Sequence, residues 1–368
     1  MLAGTAAVPT APLRHDPVTT MPHAATRHAL LCALLLGCAA GASAAEPAGP
    51  SITLYGLLDA AVEYGDDDAN ATAPDGRGTR GDAGLRLRGG VRQASRVGVR
   101  GVEDLGGGLR ALFALEHRLE VDTGEIDDGF VSAGRQRFWA GQAWVGLQGR
   151  WGRLTAGRQY TPMYTLLRPT DATGYHFYND VSTRFENRLD DSIEYRTPEI
   201  GGLTAIAMVG LGENDERGRS RGDAHAAGFQ WTAGALTVAA AYASLAADAP
   251  GGAGGDEYGA GAAWAFSDHA RIGAGRVRRD RGERDDDTWY LSGSIGLGPG
   301  TLYLNVLRIA ADDAPASIRT GLAWAHPLSR RTDVYLAAGA GRAVAVGRGA
   351  TAIDTDPVNL AIGLRHVF

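Results

Sequence analysis

The chain has 368 residues, a formal net charge of −6 and 53 glycines, and all 36 of its basic residues are Arg. Without Lys there is no Walker A loop and no Schiff-base lysine. Both cysteines, Cys32 and Cys38, lie in the N-terminal apolar region, which leaves the rest of the chain without a disulfide framework, thiol nucleophile or Cys-zinc site. The acidic balance argues against a nucleic-acid partner, and no later apolar stretch reaches the ~18 residues a spanning helix needs.

In chain order, residues 1–20 carry Pro9, Pro12, Asp16 and Pro17 and read as an over-long start or a disordered leader. From Met21 a basic patch (Arg27, His28), an apolar run (Ala29 to Leu36) and the small-residue site Ala42-Ser43-Ala44 make a secretory signal over 21–44. Leu35-Leu36-Gly37-Cys38 loosely matches a lipidation box, but Leu36 is bulky where a small residue is usual, so cleavage after Ala44 is preferred. Residues 45–368 then form one domain.

That domain alternates rather than showing a helical period. In Ser51–Tyr64 one parity is uncharged (Ile52, Leu54, Leu58, Val62, Tyr64), while the other holds Thr53, Tyr55, Asp59 and Glu63. Side chains of a strand alternate between faces, so these sets part to opposite sides. The same reading places sixteen strands near 51–64, 91–101, 108–120, 137–149, 152–160, 188–197, 202–212, 223–232, 235–245, 256–267, 269–279, 286–298, 300–310, 316–327, 332–344 and 357–368. A secreted β-sandwich would alternate too. Three features favour a barrel in a membrane: an even strand count, tight connections (103–108, 149–152) alternating with long ones (65–90, 121–136, 161–187), and a last strand ending on Phe368.

The segments Ser51-Ile52-Thr53-Leu54-Tyr55-Gly56-Leu57-Leu58-Asp59, the run Ser95 to Gly108, Gln142 to Leu147, Gly157-Arg158-Gln159-Tyr160-Thr161-Pro162, and Leu364-Arg365-His366-Val367-Phe368 share one likeness. They resemble the trimeric general porins of Gram-negative outer membranes, of the β-proteobacterial type. The likeness is specific in the first half and at the C-terminus; over 210–350 it is mainly strand rhythm. It implies an all-β, 16-stranded antiparallel transmembrane β-barrel with an inward-folded third loop. It further implies a homotrimer in the outer membrane among lipid and lipopolysaccharide, delivered by periplasmic chaperones and the barrel assembly machinery, with Phe368 in the assembly signal.

A diffusion pore needs a charged constriction rather than a catalytic group. Arg96 and Arg100 share a parity with each other and not with Val97 and Val99. An Arg facing mid-membrane lipid costs about 2–4 kcal/mol, so both should face the lumen. By resemblance, Arg96 and Arg188 match the family's basic wall. A third wall position, usually Arg, falls on Gly141 here, with Arg137 or Arg100 as neighbours that could compensate. The resemblance sets acids opposite, on the third loop, with Asp171 the first candidate and Asp180 and Glu186 next.

Other constellations fail. Asp66-Asp67-Asp68 opens like a calcium loop but lacks Gly at the sixth place and Glu at the twelfth. The histidines have no metal-ligand spacing, and no G-x-S-x-G occurs. The expectation is a passive channel for ions and small hydrophilic solutes, not an enzyme, with no cofactor and no metal. The competing readings are a substrate-specific channel or adhesin-like barrel, and an outer-membrane hydrolase. Ion selectivity stays open, leaning to anions.

Overall fold

The computed structural model describes residues 50–65, 84–127, 137–214, 220–221, 223–246, 254–281, 285–311, 314–341, 343–345, 353–355 and 358–368. The proposed leader, the signal and the Asp66–Asp68 run lie outside these residues.

The alternating stretches are strands of one closed sheet: β1 (Ser51–Gly65), β2 in two pieces (Gly84–Gly89 and Arg96–Gly106), β3 (Leu109–Arg118), β4 (Gln142–Gly149), β5 (Gly152–Tyr160), β6 (Arg188–Arg196), β7 (Leu203–Gly210), β8 (Ala224–Ala233), β9 (Leu236–Leu245), β10 (Gly255–Ser267), β11 (Ala270–Asp280), β12 (Asp285–Leu297), β13 (Gly300–Ala311), β14 (Ala314–Pro327), β15 (Thr332–Gly341) and β16 (Val358–Val367). Each pairs antiparallel with its neighbours in sequence, and β1 also pairs with β16, Leu57 opposite Val367 through Gly65 opposite Asn359. That pairing closes the barrel and leaves no open edge, which a lipid environment requires of strands.

Alternation decides the two faces as expected. On β1, Ile52, Leu54, Leu58, Val62 and Tyr64 are exposed, whereas Asp59 and Glu63 are fully buried on the inward parity. Exposed aromatic residues mark both rims. Trp151, Trp231, Trp264 and Phe266 lie near tight turns, and Tyr64, Tyr258 and Trp289 lie near the long connections. Such girdles sit at membrane–water interfaces. Arg276 and Arg278 break the apolar outer parity only near the long-connection rim, where Asp287 (2.7 and 2.8 Å) and Asp285 (2.5 Å) pair with them. The turn between β2 and β3 takes three successive glycines at positive φ (Gly106 85°, Gly107 62°, Gly108 82°), a backbone other residues adopt at a cost.

Two strands differ from the expectation: the fourth, expected as 137–149, begins only at Gln142, and the second is broken in the middle. The second was expected as 91–101, yet residues 90–95 leave the ladder between two strand pieces. The cause is Asp59 on β1. Its Oδ2 accepts from the backbone N–H of Arg92 (3.1 Å) and Gln93 (2.9 Å), and its Oδ1 from the Tyr335 hydroxyl (2.5 Å). A buried carboxylate needs donors, and here the neighbouring strand's backbone bends inward to supply them.

Candidate pore constriction

The connection from β5 to β6, residues 161–187, opens on a capped helix. The Thr161 hydroxyl accepts from the Tyr164 N–H (3.2 Å), Pro162 occupies the first turn, and α1 (Pro162–Leu167) follows. Thr161 closes the base: its N–H donates to the Asn187 carbonyl (2.9 Å) and its hydroxyl to the Glu186 carbonyl (2.8 Å).

Met163, Leu166 and Leu167 are buried with Ile206, Val277, Tyr290 and Leu307 from the wall strands. The polar anchors reach further around. Thr170 Oγ1 meets Tyr290 Oη at 2.5 Å, and the Ala172 N–H donates to Ser292 Oγ at 2.8 Å, both on β12. Asn305 Nδ2 on β13 donates to the Tyr178 carbonyl (2.9 Å), and Asn179 Nδ2 donates to the Thr320 carbonyl on β14 (2.7 Å). Tyr178 Oη donates to Glu63 on β1 (2.5 Å), and the Phe177 N–H to the Arg92 carbonyl in the β2 bend (3.1 Å). Space for this course comes from glycine. A Cβ at Gly228, Gly259, Gly261, Gly273, Gly321 or Gly339 would collide with Leu166, Leu167, Thr170 or Tyr178.

A different part of the wall, β2 to β6, carries the arginines. Arg96 Nη1 lies 4.0 Å from Glu116 Oε1 on β3. Arg188 donates to Tyr160 Oη (2.8 Å) with its guanidinium 4.3 Å from that ring's centroid, and Tyr160 stacks on Tyr164 at 4.2 Å. Arg100 is exposed above the Tyr55 ring at 5.4 Å. It is four residues, roughly 13 Å of strand, nearer the tight-turn rim than Arg96. Arg137, four residues before Gly141, donates to Asp190 (2.8 Å), which also binds Arg158 (2.5 Å).

The loop acids are turned to the loop's own backbone. Asp171 is only 3% exposed; its carboxylate accepts from the Thr173 N–H (2.9 Å) and hydroxyl (2.8 Å) and from the Tyr175 N–H (3.1 Å). Asp180 caps the turn Val181–Arg184 through the Ser182 N–H (2.7 Å), and burial pushes its carboxyl up to about 6. Glu186 Oε1 accepts weakly from the Arg188 N–H (3.4 Å), while its own N–H donates to Glu257 (3.0 Å). Burial, followed by the nearby Arg92, Arg365, Arg168 and Arg96, holds His176 well below its usual range.

Sequence reasoning passed over Glu116, Arg118, Arg158, Tyr160, Arg168 and Arg92. Parity on β3 places Glu116 and Arg118 on the inward face and could have found them. Arg158 and Tyr160 lie at and beyond a bulge, where the β5–β6 register shifts between Gly157 and Gln159 and the alternation is lost.

A closed antiparallel barrel of sixteen strands, apolar outside and arginine-lined within, defines a transmembrane channel of the outer-membrane type. The family model for Gram-negative porins matches residues 29–344, and the chain belongs to that family. It is 34% identical over 196 residues to an outer membrane porin protein of Bordetella pertussis (51% of this chain, 49% of that one), so it spans about half the length of that relative. It is 30% identical over 332 residues to outer membrane porin protein 32 of Delftia acidovorans, covering 83% of this chain and 87% of that one. Among solved structures, the anion-selective porin from Comamonas acidovorans superposes with a TM-score of 0.70 at 22% identity, covering 87% of this chain and all (100%) of that one. The trimer form of OmpT from Vibrio cholerae gives 0.61 at 16% identity, with 87% and 100% covered. At these identities the superpositions speak to the fold.

Proposed function

We propose that the chain forms a water-filled channel in the outer membrane for passive diffusion of ions and small hydrophilic solutes, with a preference for anions. Residues 161–187 fold into the lumen; every wall side chain named as their partner belongs to the inward parity, and their other wall partners are the backbone carbonyls of Thr320 and of Arg92 in the bend of β2. They cover the inner face from β7 round to β1 and leave the passage beside β2–β6, where Arg96, Arg188 and Arg100 meet the permeating ion. The observation that carries the anion preference is the state of the acids. The Asp171 and Asp180 carboxylates are taken up by loop N–H and hydroxyl groups, and Arg168, on the same loop, donates to the Gly174 carbonyl (3.1 Å). On this reading Asp171, Asp180 and Glu186 serve the pore by fixing the loop.

The chain works as a homotrimer; a solved fold neighbour was described in a trimer form. It sits among outer-membrane lipid and lipopolysaccharide, and chaperones and the barrel assembly machinery deliver it by its last strand. The test is reconstitution into planar bilayers under a tenfold salt gradient. Ohmic steps, usually in triplets, with a reversal potential on the anion side are expected. Cation-side reversal would sink the preference. Saturable block by one solute class would favour a substrate-specific channel, and closed barrels with hydrolytic activity an enzyme.

A further inference from the structure

Away from β2–β6, the wall holds a second group of arginines that the neighbouring acids do not fully answer. Arg319 on β14 follows the exposed Ile318 and so belongs to the inward parity. It is half-buried, its Nε is buried without a partner, and its guanidinium makes no hydrogen bond or ion pair among the described residues. Gly341, its register partner on β15, leaves it room: a Cβ there would stand 3.0 Å from Arg319 Cγ. Arg184 ends the loop turn Val181–Arg184 and reaches the same region from the other side. Its Nε donates to Thr288 Oγ1 on β12 (3.3 Å), while Asp286 Oδ2 lies 3.8 Å from its Nη2, beyond hydrogen-bonding reach. Thr288 stands opposite Ile309, and Ile309 opposite Ser317, two residues from Arg319. The two arginines therefore rise on either side of Ile309 with two strand spacings, ~10 Å, between their strands. Asp286 and Arg279 place the group towards the long-connection rim, which is the outer mouth.

The other acids nearby are engaged elsewhere. Glu257 accepts from Arg279 Nε (3.1 Å) and from the Glu186 N–H (3.0 Å), and Glu186 accepts from the Arg188 N–H (3.4 Å). Burial pushes the Arg184 guanidinium down to about 10; Asp286 resists that fall, and Arg279, Arg319 and Arg281 add to it. A guanidinium drawn out of water without a carboxylate is costly to keep, and a second one beside it raises the cost. A tetrahedral oxyanion supplies what is missing, because its oxygens accept paired N–H bonds from the planar guanidinium fork. We propose that Arg184 and Arg319 form an oxyanion-binding site in the outer mouth of the channel, taking a free phosphate or sulfate group. This rests on the reading that the barrel conducts anions, and it adds a place where a divalent anion pauses before the narrow passage. An anion held there ties the loop turn to β14, next to the bond that Asn179 Nδ2 makes to the Thr320 carbonyl (2.7 Å).

The test is single-channel recording in KCl with inorganic phosphate titrated into each chamber in turn, for the native chain, Arg319→Gln, Arg184→Gln and Arg319→Lys. Phosphate should lower the chloride current saturably in the native channel, and at a lower concentration from one side than from the other. Each Gln variant should raise the half-blocking concentration roughly tenfold or more, the loss of one charge-assisted partner. Arg319→Lys keeps the charge without the fork and should fall between. Sulfate should act as phosphate does. Phosphate should also raise the temperature at which the folded gel form of the native chain disappears, and not that of Arg319→Gln. Equal block of the native chain and both Gln variants would put phosphate at the constriction and overturn this proposal, leaving the anion channel intact. A native channel with an anion-side reversal potential and no saturable phosphate block would overturn it as well. A cation-side reversal in KCl alone would fell the anion reading first. Should Arg319→Gln fail to yield heat-modifiable protein, Arg184→Gln carries the same comparison, and the native titration alone still decides whether an oxyanion is held.

Discussion

Gly273→Val should drive the loop off its seat without opening the barrel. Gly273 is buried on β11, and a side chain there would collide with the Thr170 carbonyl and lie 3.0 Å from the Ala172 N–H. Overpacking of this kind costs typically about 1–3 kcal/mol. If the loop yields, it also loses the Thr170–Tyr290 contact at 2.5 Å and the Ala172–Ser292 bond at 2.8 Å, each worth about 1 kcal/mol net. The loop either bears the strain or gives up the two bonds, so the penalty on its seat is about 1–3 kcal/mol, or roughly one to two orders of magnitude in its population at ~1.4 kcal/mol per tenfold. The barrel ladder of β11 keeps all its backbone bonds, so folded, heat-modifiable protein is expected. Single-channel recordings should show higher or noisier conductance. Gly293→Ala on β12 is the control, because the nearest atom to its Cβ would be the Arg271 carbonyl oxygen at 3.8 Å. Folded Gly273→Val channels with native conductance and noise would refute both the seat and the inward course of the loop.

Deleting Phe368 removes two main-chain bonds to Gly56, 3.0 Å each, and the ring lying over that glycine. The variant should accumulate as periplasmic aggregate or be degraded, whereas His366→Ala should insert normally; outer-membrane fractionation and heat modifiability decide. Tyr335→Phe takes one donor from the buried Asp59 carboxylate, costing about 1–3 kcal/mol, and should lower the temperature at which the folded gel form disappears. Asp171→Asn should increase current noise but leave the reversal potential near native; a clear shift would put Asp171 in the ion path. Titrating the reversal potential from pH 5 to 8 should give the same curve for the native chain and for His176→Ala, because burial, followed by the nearby arginines, holds His176 well below its usual range.

The strands were legible because alternation is local: a residue and its second neighbour reveal a face without reference to the rest of the chain. So Arg96 and Arg100 could be assigned inward, and Asp59 and Glu63 separated from Leu58 and Val62. Legibility failed where one strand answers to another. The break at residues 90–95 is imposed by Asp59, more than thirty residues earlier, and the bulge at Gly157–Gln159 resets parity just before Arg188's partner Tyr160. Alternation puts Gly56 on the outward parity, and only the fold lays the Phe368 ring over it, 2.5 Å from where a Cβ would stand.

What the amino-acid sequence determined by itself was the class of object: a strand-rich chain with an uncharged and a polar parity, and turns of two lengths. Those properties follow from backbone period and from the cost of placing charge in lipid, and they hold wherever the strands end up. What only the tertiary structure decided was which charges remain available inside. A carboxylate's contribution depends on its donors, and the donors of Asp171 come from its own loop, those of Asp59 from the bend in β2 and from β15, and the space for Glu116 from Gly141, just ahead of β4. Hydrogen bonds and close contacts between segments distant in sequence depend on how the barrel closes, and no local pattern records them.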